Sequence, residues 1–254
     1  MSHPQEQNPE PLFSIITVTY NAKDTLPATM KSVNEQTCTD FEHLIMDGAS
    51  TDGTADFARA HGTERTIVNS EPDNGIYDAM NIGLYRARGK YVIFLNAGDT
   101  FHKPDTLELI KRTIMANDTP GIVYGQTLIV DSQRNAIGPR HLTAPKSLTH
   151  ASFKNGMLVC HQAFIALRRI TGPFSPKYRF SADYEWCIHC LQHSRHNVLI
   201  DEYLIDYLNE GTTTKNHRAS LKERYKIMCR NYGTLPTIFR HIGFAFRALR
   251  RKMK

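Results

Sequence analysis

The amino-acid sequence predicts an α/β fold, a mainly parallel sheet with helices on both faces, followed by a helical C-terminal extension. Three observations predict it. Short apolar runs rich in β-branched and aromatic residues alternate with helix-period segments as far as residue 130, and such alternation builds parallel sheets. Two of the runs, 41–46 and 91–95, end in acidic, Gly-containing loops, Asp47-Gly-Ala-Ser-Thr-Asp-Gly-Thr54 and Asn96-Ala-Gly-Asp99, as buried strands do where they reach a sheet edge. The 254 residues, 41% hydrophobic and 22% charged, suffice to bury one large core and have the balance of a soluble globular protein.

The first strand spans 13–20. A helix follows over 24–36, with Leu26, Met30 and Val33 on one face and Pro27 suited to its first turn. The second strand is 41–46, and the second helix begins over 52–60. Residues 65–69 form the third strand, and 76–88 a helix with Ile76, Met80, Ile82 and Leu84 apolar. The fourth strand is 91–95, the next helix 104–116 and the fifth strand 121–130. Beyond Asp131 the pattern loosens. Residues 134–151, rich in Pro, His, Thr and basic side chains, read as a loop. Residues 161–168 read as a strand, 184–192 as a helix, 198–207 as a strand, and 219–228 and 238–252 as helices.

Composition narrows the function classes. No apolar run approaches the ~20 residues of a membrane span. Residues 1–10 lack the apolar centre of a signal peptide, so the expected setting is cytoplasmic, with a short flexible start. Five cysteines at irregular spacing suggest no disulfide framework. Cys187, Cys190 and His193 recur every three residues in a predicted helix with no second ligand pair, so they read as core packing rather than a zinc site. The net charge of +6 is uneven: 237–254 carry six Lys/Arg and no acid, with Ile238, Ile242, Phe246 and Leu249 at helical spacing. Two readings stay open for this segment. It is a basic amphipathic helix on an anionic membrane surface, at the inner face of the cytoplasmic membrane, or a helix packed on the domain with a solvated basic face. Nucleic acid is not an expected partner, because no recognition motif accompanies the charge.

The acidic strand ends are the chemical signal. Ligands of open α/β sheets bind beyond the carboxyl ends of the strands, and buried carboxylates without partners are costly. A divalent cation and a nucleotide suit them. Five segments then stand in order across roughly 13–210: Ser14-Ile-Ile-Thr-Val-Thr-Tyr-Asn21, Asp47-Gly-Ala-Ser-Thr-Asp-Gly-Thr54, Glu71-Pro-Asp-Asn-Gly-Ile-Tyr-Asp-Ala-Met-Asn81, Phe94-Leu-Asn-Ala-Gly-Asp99 and Ser181-Ala-Asp-Tyr-Glu-Trp186. Together they resemble the inverting, nucleotide-sugar-dependent glycosyltransferases of family 2 with the GT-A (Rossmann-like) fold. They look closest to bacterial enzymes that build exopolysaccharide, colanic acid or O-antigen repeats.

The resemblance implies roles for particular residues. Residues 11–214 would be the GT-A domain, with 11–131 its nucleotide-sugar half and 132–214 its acceptor half, and 215–254 a basic helical extension. Thr19, Tyr20 and Asn21 would contact the nucleoside, and Asp47 would accept a hydrogen bond from the base. Asn74, Asp78 and Asn81 would lie near the nucleotide and sugar, at a helix start that favours anions. Asn96-Ala-Gly-Asp99 takes the place of the metal-binding acidic element. Asn96 and Gly98 stand where acids are common, leaving Asp99 as the carboxylate for Mg²⁺ or Mn²⁺. His161 would meet the donor phosphates or the acceptor, with a core histidine as the structural alternative. Asp183 would be the catalytic base; Glu185 is its rival, turned away by helical geometry. Ser50 and Asp52 read as helix caps, Lys154 as a weak diphosphate contact, and Gly211-Thr-Thr-Thr-Lys215 as a loop that closes over the site.

The implied activity is transfer of a sugar from a nucleotide-diphosphate sugar onto a glycan or lipid-diphosphate-linked oligosaccharide, in bacterial surface polysaccharide or lipopolysaccharide synthesis. Two alternatives compete. A non-catalytic nucleotide-sugar-binding partner is suggested by the thinned acidic motif and opposed by the retained Asp183. A sugar nucleotidyltransferase would need a Gly-rich basic loop after the first strand, where this chain has Thr19-Tyr-Asn-Ala-Lys23.

Overall fold

The computed structural model describes residues 10–209 and 217–252. The expectations for 1–9 and for the loop at 211–215 fall outside these residues. The elements run β1 (Phe13–Thr19), α1 (Leu26–Asn34), β2 (Phe41–Asp47), α2 (Thr54–His61), β3 (Thr66–Ser70), α3 (Ile76–Arg86), β4 (Tyr91–Phe94), β5 (Thr100–Phe101), α4 (Thr106–Ala116), β6 (Ile122–Val130), β7 (Ala136–Pro139), β8 (Phe164–Leu167), α5 (Ala182–His193), β9 (Asn197–Leu208), α6 (His217–Tyr232) and α7 (Thr234–Lys252).

The strands form one sheet in the order β3-β2-β1-β4-β8-β6-β9-β5, with β7 paired to β6. The block β3-β2-β1-β4 is parallel throughout. Beyond it the sheet is mixed: β8 runs antiparallel to β4 and β6, while β6 and β9 are parallel. Burial on both faces explains why β1, β2 and β4 read as near-continuous apolar runs. Side chains alternate across a strand, so Ile45 faces one side with Leu26, Met30 and Ala58 of α1 and α2. Leu44 and Met46 face the other, in the main core. There α3 lies directly on β1 and β2 at Gly83, where a Cβ would come within 2.5 Å of Ile16 Cγ2.

The core of the second half is aromatic. Phe174 stacks on Trp186 with centroids 5.2 Å apart, and Phe94 meets both edge-on. Helix α6 is seated in this half. Its Ser220, Ile227 and Met228 are buried, and each apolar side chain so buried contributes roughly 2 kcal/mol. Glu223 on α6 accepts hydrogen bonds from Arg179 N and Phe180 N, at 2.9 and 2.8 Å, just ahead of α5. Two elements fall where no strand is expected. β7 lies inside the anticipated loop at 134–151, and β5 is a two-residue strand on β9. The anticipated strand at 161–168 begins instead with a 3-10 turn, His161–Ala163.

Candidate active site

The parallel register sets Thr19 beside Asp47 and Asp47 beside Ser70 at the carboxyl edge of the sheet. The three side chains consequently share one face. Asp47 Oδ1 accepts from Thr19 Oγ1 at 2.9 Å and Ser50 Oγ at 2.5 Å; Oδ2 accepts from Ser70 Oγ at 2.7 Å and Ser50 N at 3.0 Å. Burial alone would raise its pKa, but donors from Ser50, Ser70 and Thr19 outweigh burial and hold the carboxyl below its usual range. A base N–H meeting Asp47 would compete with Ser50 and Ser70. Beside this hub, Asn21 has φ +47; its N–H donates to Ser50 Oγ and its Oδ1 accepts from Thr51 N. Tyr20 projects outward, 70% exposed.

The second strand-end loop turns at Gly98, whose φ of +103 disfavours any side chain and where an added Cβ would press on Leu208 Cδ2 at 2.9 Å. This accounts physically for a glycine at a position where an acid is common. The turn swings Asp99 inward. Its Oδ2 accepts from Gln162 Nε2 at 2.7 Å and its Oδ1 from Leu208 N at 3.0 Å. Burial raises its pKa to about 6 against the opposing pull of these donors and of the charges on His161 and Arg134. Asn96 Nδ2 lies 3.4 Å from His161 Nε2, and Asn96 Oδ1 is buried without a hydrogen-bond partner among the described residues.

His161 continues the network to α5. Its Nδ1 is 3.3 Å from Asp183 Oδ2, and Tyr77 on α3 donates its hydroxyl to Asp183 Oδ1 at 3.0 Å. A proton on Nδ1 lets the imidazole donate to Asp183. Asp183 lies in the first turn of α5, where the helix dipole favours an anion. Its side chain is 13% exposed. Burial works to raise its pKa, but His161, Arg224 and Tyr77 prevail, and the group stays ionised below its usual value. Tyr77 is pushed well up by burial and by this carboxylate. Glu185, the rival base, ion-pairs with Arg230 of α6 at 3.2 Å.

The structure thus brings Asn96, Asp99, His161 and Asp183 into one cluster, with Thr19, Tyr20, Asn21 and Asp47 further along the edge. Asn74 and Asp78 bond each other, Asn74 N and Nδ2 donating to Asp78 Oδ2 at 2.9 and 3.0 Å. Asn81 stands apart. Its Nδ2 donates to Phe174 O and its Oδ1 accepts from Phe174 N, so both ends of the amide clamp the backbone at Phe174. Lys154 lies over the Tyr232 ring rather than beside the acids. Cys187 and Cys190 are buried, and no group of three metal-ligating side chains occurs among the described residues.

Sequence reasoning passed over Tyr77 and Arg224 and noted Gln162 only as the neighbour paired with His161. Tyr77 sits inside the third motif and Gln162 beside His161, so proximity to a named residue was the available signal. For Arg224 there was none. A cation asks for free hard oxygens. Asn96 Oδ1 offers one, and Asp99, though engaged by two donors, keeps lone pairs beside it. The donor set fits a divalent ion only if a ligand's own oxygens complete the shell.

A strand-edge acid cluster, a second acid on a later helix and this mixed sheet define a sugar-transferring enzyme of the GT-A type. The chain matches Glycosyl transferase family 2 over residues 14–170 and belongs to that family; it is a glycosyltransferase. It is 35% identical over 200 residues to a PGL/p-HBAD biosynthesis glycosyltransferase of Mycobacterium tuberculosis, covering 76% of this chain and 74% of the relative. Among solved structures it resembles Staphylococcus aureus TarS in complex with UDP-GlcNAc, with TM-score 0.71 and 17% identity, over 86% of this chain and 65% of that one. It also resembles the mannosyltransferase PcManGT of Pyrobaculum calidifontis in complex with GDP-Man and Mn²⁺, with TM-score 0.62 and 18% identity, over 89% and 68%.

Proposed function

We propose that this protein is an inverting glycosyltransferase of bacterial surface polysaccharide synthesis, with Asp183 as its base. The observation that carries the reading is Asp183 held as a carboxylate by His161 and Tyr77 in the first turn of α5. The acceptor hydroxyl gives its proton to Asp183 as its oxygen attacks the anomeric carbon, and the nucleoside diphosphate departs from the opposite face. One displacement inverts the centre. Thr19, Tyr20, Asn21 and Asp47 bound the nucleoside end, with the exposed Tyr20 ring available for stacking. Asn74 and Asp78 border the donor at the start of α3, and His161 links the donor side to the base. Bound with the donor diphosphate, Mg²⁺ or Mn²⁺ would neutralise charge on the leaving group, and Asp99 and Asn96 are the residues that would hold it. The Mn²⁺ in the PcManGT complex supports this.

The acceptor is a glycan or a lipid-diphosphate-linked oligosaccharide. No described helix is long and apolar enough to cross a membrane. Leu235, Phe239 and Ile242 of α7 are nonetheless 70, 71 and 48% exposed, which suits peripheral contact with an anionic membrane at the cytoplasmic face. The division into a nucleotide half, 11–131, an acceptor half, 132–214, and a C-terminal part, 215–254, follows the same reading, with α6 closing the acceptor half.

Melting the protein with a panel of nucleoside diphosphates and their sugars, with and without Mn²⁺, tests the reading. Stabilisation by one nucleotide family, enhanced by metal, is the expected result. No shift at millimolar ligand would leave a non-catalytic role as the better account.

A further inference from the structure

Residues 131–135 turn β6 into β7. Asp131 builds the turn, its Oδ1 accepting from Gln133 N and Asn135 N at 2.9 and 2.8 Å. Within it Arg134 takes a left-handed backbone, φ +67, a conformation disfavoured for a long side chain. The turn's location matters. Val130, immediately before it, is registered against Leu208 of β9, and Leu208 N is a donor that seats Asp99. The turn that carries Arg134 thus follows directly on the strand pairing that positions the Asp99 donor. Arg134 Nη1 is buried and has no hydrogen-bond partner among the described residues, while its positive charge reaches Asp99.

A buried guanidinium nitrogen without an acceptor is unfavourable and calls for an oxygen that the described residues do not supply. The local chemistry says which kind. In the Asn96-Ala-Gly-Asp99 loop Asp99 is the single acid. That leaves Asp99, already given two donors, against the fixed charge of Arg134. An anion with several oxygens fits this imbalance better than a neutral sugar hydroxyl, and the planar guanidinium fork matches phosphate.

We propose that Arg134 is a contact for the donor diphosphate, supplying a metal-independent positive charge to the departing nucleoside diphosphate. The proposal rests on the nucleotide-sugar reading of the site. It also gives the thinned acidic motif a rationale, because a permanent cation offsets the weaker hold on a metal.

Calorimetric titration of the full chain with UDP and GDP, and with UMP and GMP, tests it, each with Mn²⁺ and with EDTA. For the nucleotide family that binds, Arg134→Gln is expected to weaken the diphosphate by about 10-fold or more, and the monophosphate by much less. The loss should persist in EDTA, and Arg134→Lys should recover part of it. Unchanged melting temperatures of the unliganded variants exclude misfolding as the cause. Equal weakening of mono- and diphosphate, or no weakening, overturns the assignment of Arg134 alone. Failure of the unsubstituted protein to bind any of the four overturns the donor reading itself, and this proposal with it.

Discussion

Asp47 and Asp99 follow the two strands that flank β1, and they are 2 and 4% exposed, yet their acidities move in opposite directions. Asp47 accepts four hydrogen bonds and is held below the usual carboxylate range. Asp99 accepts two and rises to about 6. Burial penalises the charge in both, far more heavily at Asp99, which lies deeper, while Asp47 has twice the donors to offset a smaller penalty. The Asp47 end of the edge is thus a fully bonded hub, whereas the Asp99 end retains an under-satisfied acid near Asn96 Oδ1, which has no hydrogen-bond partner among the described residues. Asp183 is a third case. It is kept ionised by His161 and Tyr77 in contact and by the charge of Arg224, and its side chain is 13% exposed.

The largest expected effect separates Asp183 from the other two. Asp183→Asn keeps the shape and can still accept from Tyr77, but removes the base. Turnover should fall about 10²–10⁴-fold with little change in donor affinity, read by product formation and by nucleotide titration. Turnover within a few-fold of normal would make Asp183 a structural cap and remove the proposed mechanism.

Next is stability. Asp47→Ala strands the hydroxyls of Thr19, Ser50 and Ser70 and should cost about 3 kcal/mol in urea unfolding. Asp99→Asn should cost far less at pH 7, because a neutral amide replaces a carboxylate that burial disfavours. Similar losses at both positions would break the contrast drawn from donor number.

The same pair yields opposite pH signatures. Between about pH 4 and about 6 the folded protein retains a proton on Asp99 that the unfolded chain has released. Its contribution to stability therefore falls as pH rises through that window. Asp47 binds its proton less readily when folded, so its contribution is present above the ordinary value of 3.8 and lost as pH falls below it. Unfolding free energies across pH 3–7 in EDTA, compared with Asp99→Asn and Asp47→Asn, should lose the first slope in one variant and the second in the other.

How much of this was legible differs between the two halves. The parallel block could be read because both faces of β1, β2 and β4 are covered, which writes a local apolar run into the sequence. The strand-end acids followed from those runs. Beyond residue 130 the sheet turns mixed; β7 pairs only at the edge of β6, and Ala136 and Ile137 are exposed, so no apolar signal marks it. The links that finish the site span long separations. Tyr77 and Asp183 are 106 residues apart, and Asn81 and Phe174 are 93 apart. Helical spacing put Asp78 and Asn81 on the same side of α3, but only tertiary packing tells that Asn81 holds the backbone at Phe174 while Tyr77 reaches the proposed base.

Tyr77 carries the smallest predicted effect and the finest test of the comparison. If donor number sets acidity at these buried carboxylates, deleting one of Asp183's two neighbours should shift it part of the way toward the behaviour of Asp99. Tyr77→Phe keeps the ring stacked on Phe174, whose centroid is 5.6 Å away, and removes only the hydroxyl. The carboxylate loses a donor while burial stays, so its pKa rises. The acid limb of kcat/KM should move to higher pH by about one unit or less, with turnover at pH 8 reduced less than about ten-fold. A rate loss with an unmoved limb would mean that Tyr77 touches substrate instead of tuning the base. An unchanged rate and limb would mean that His161 and Arg224 alone keep Asp183 charged.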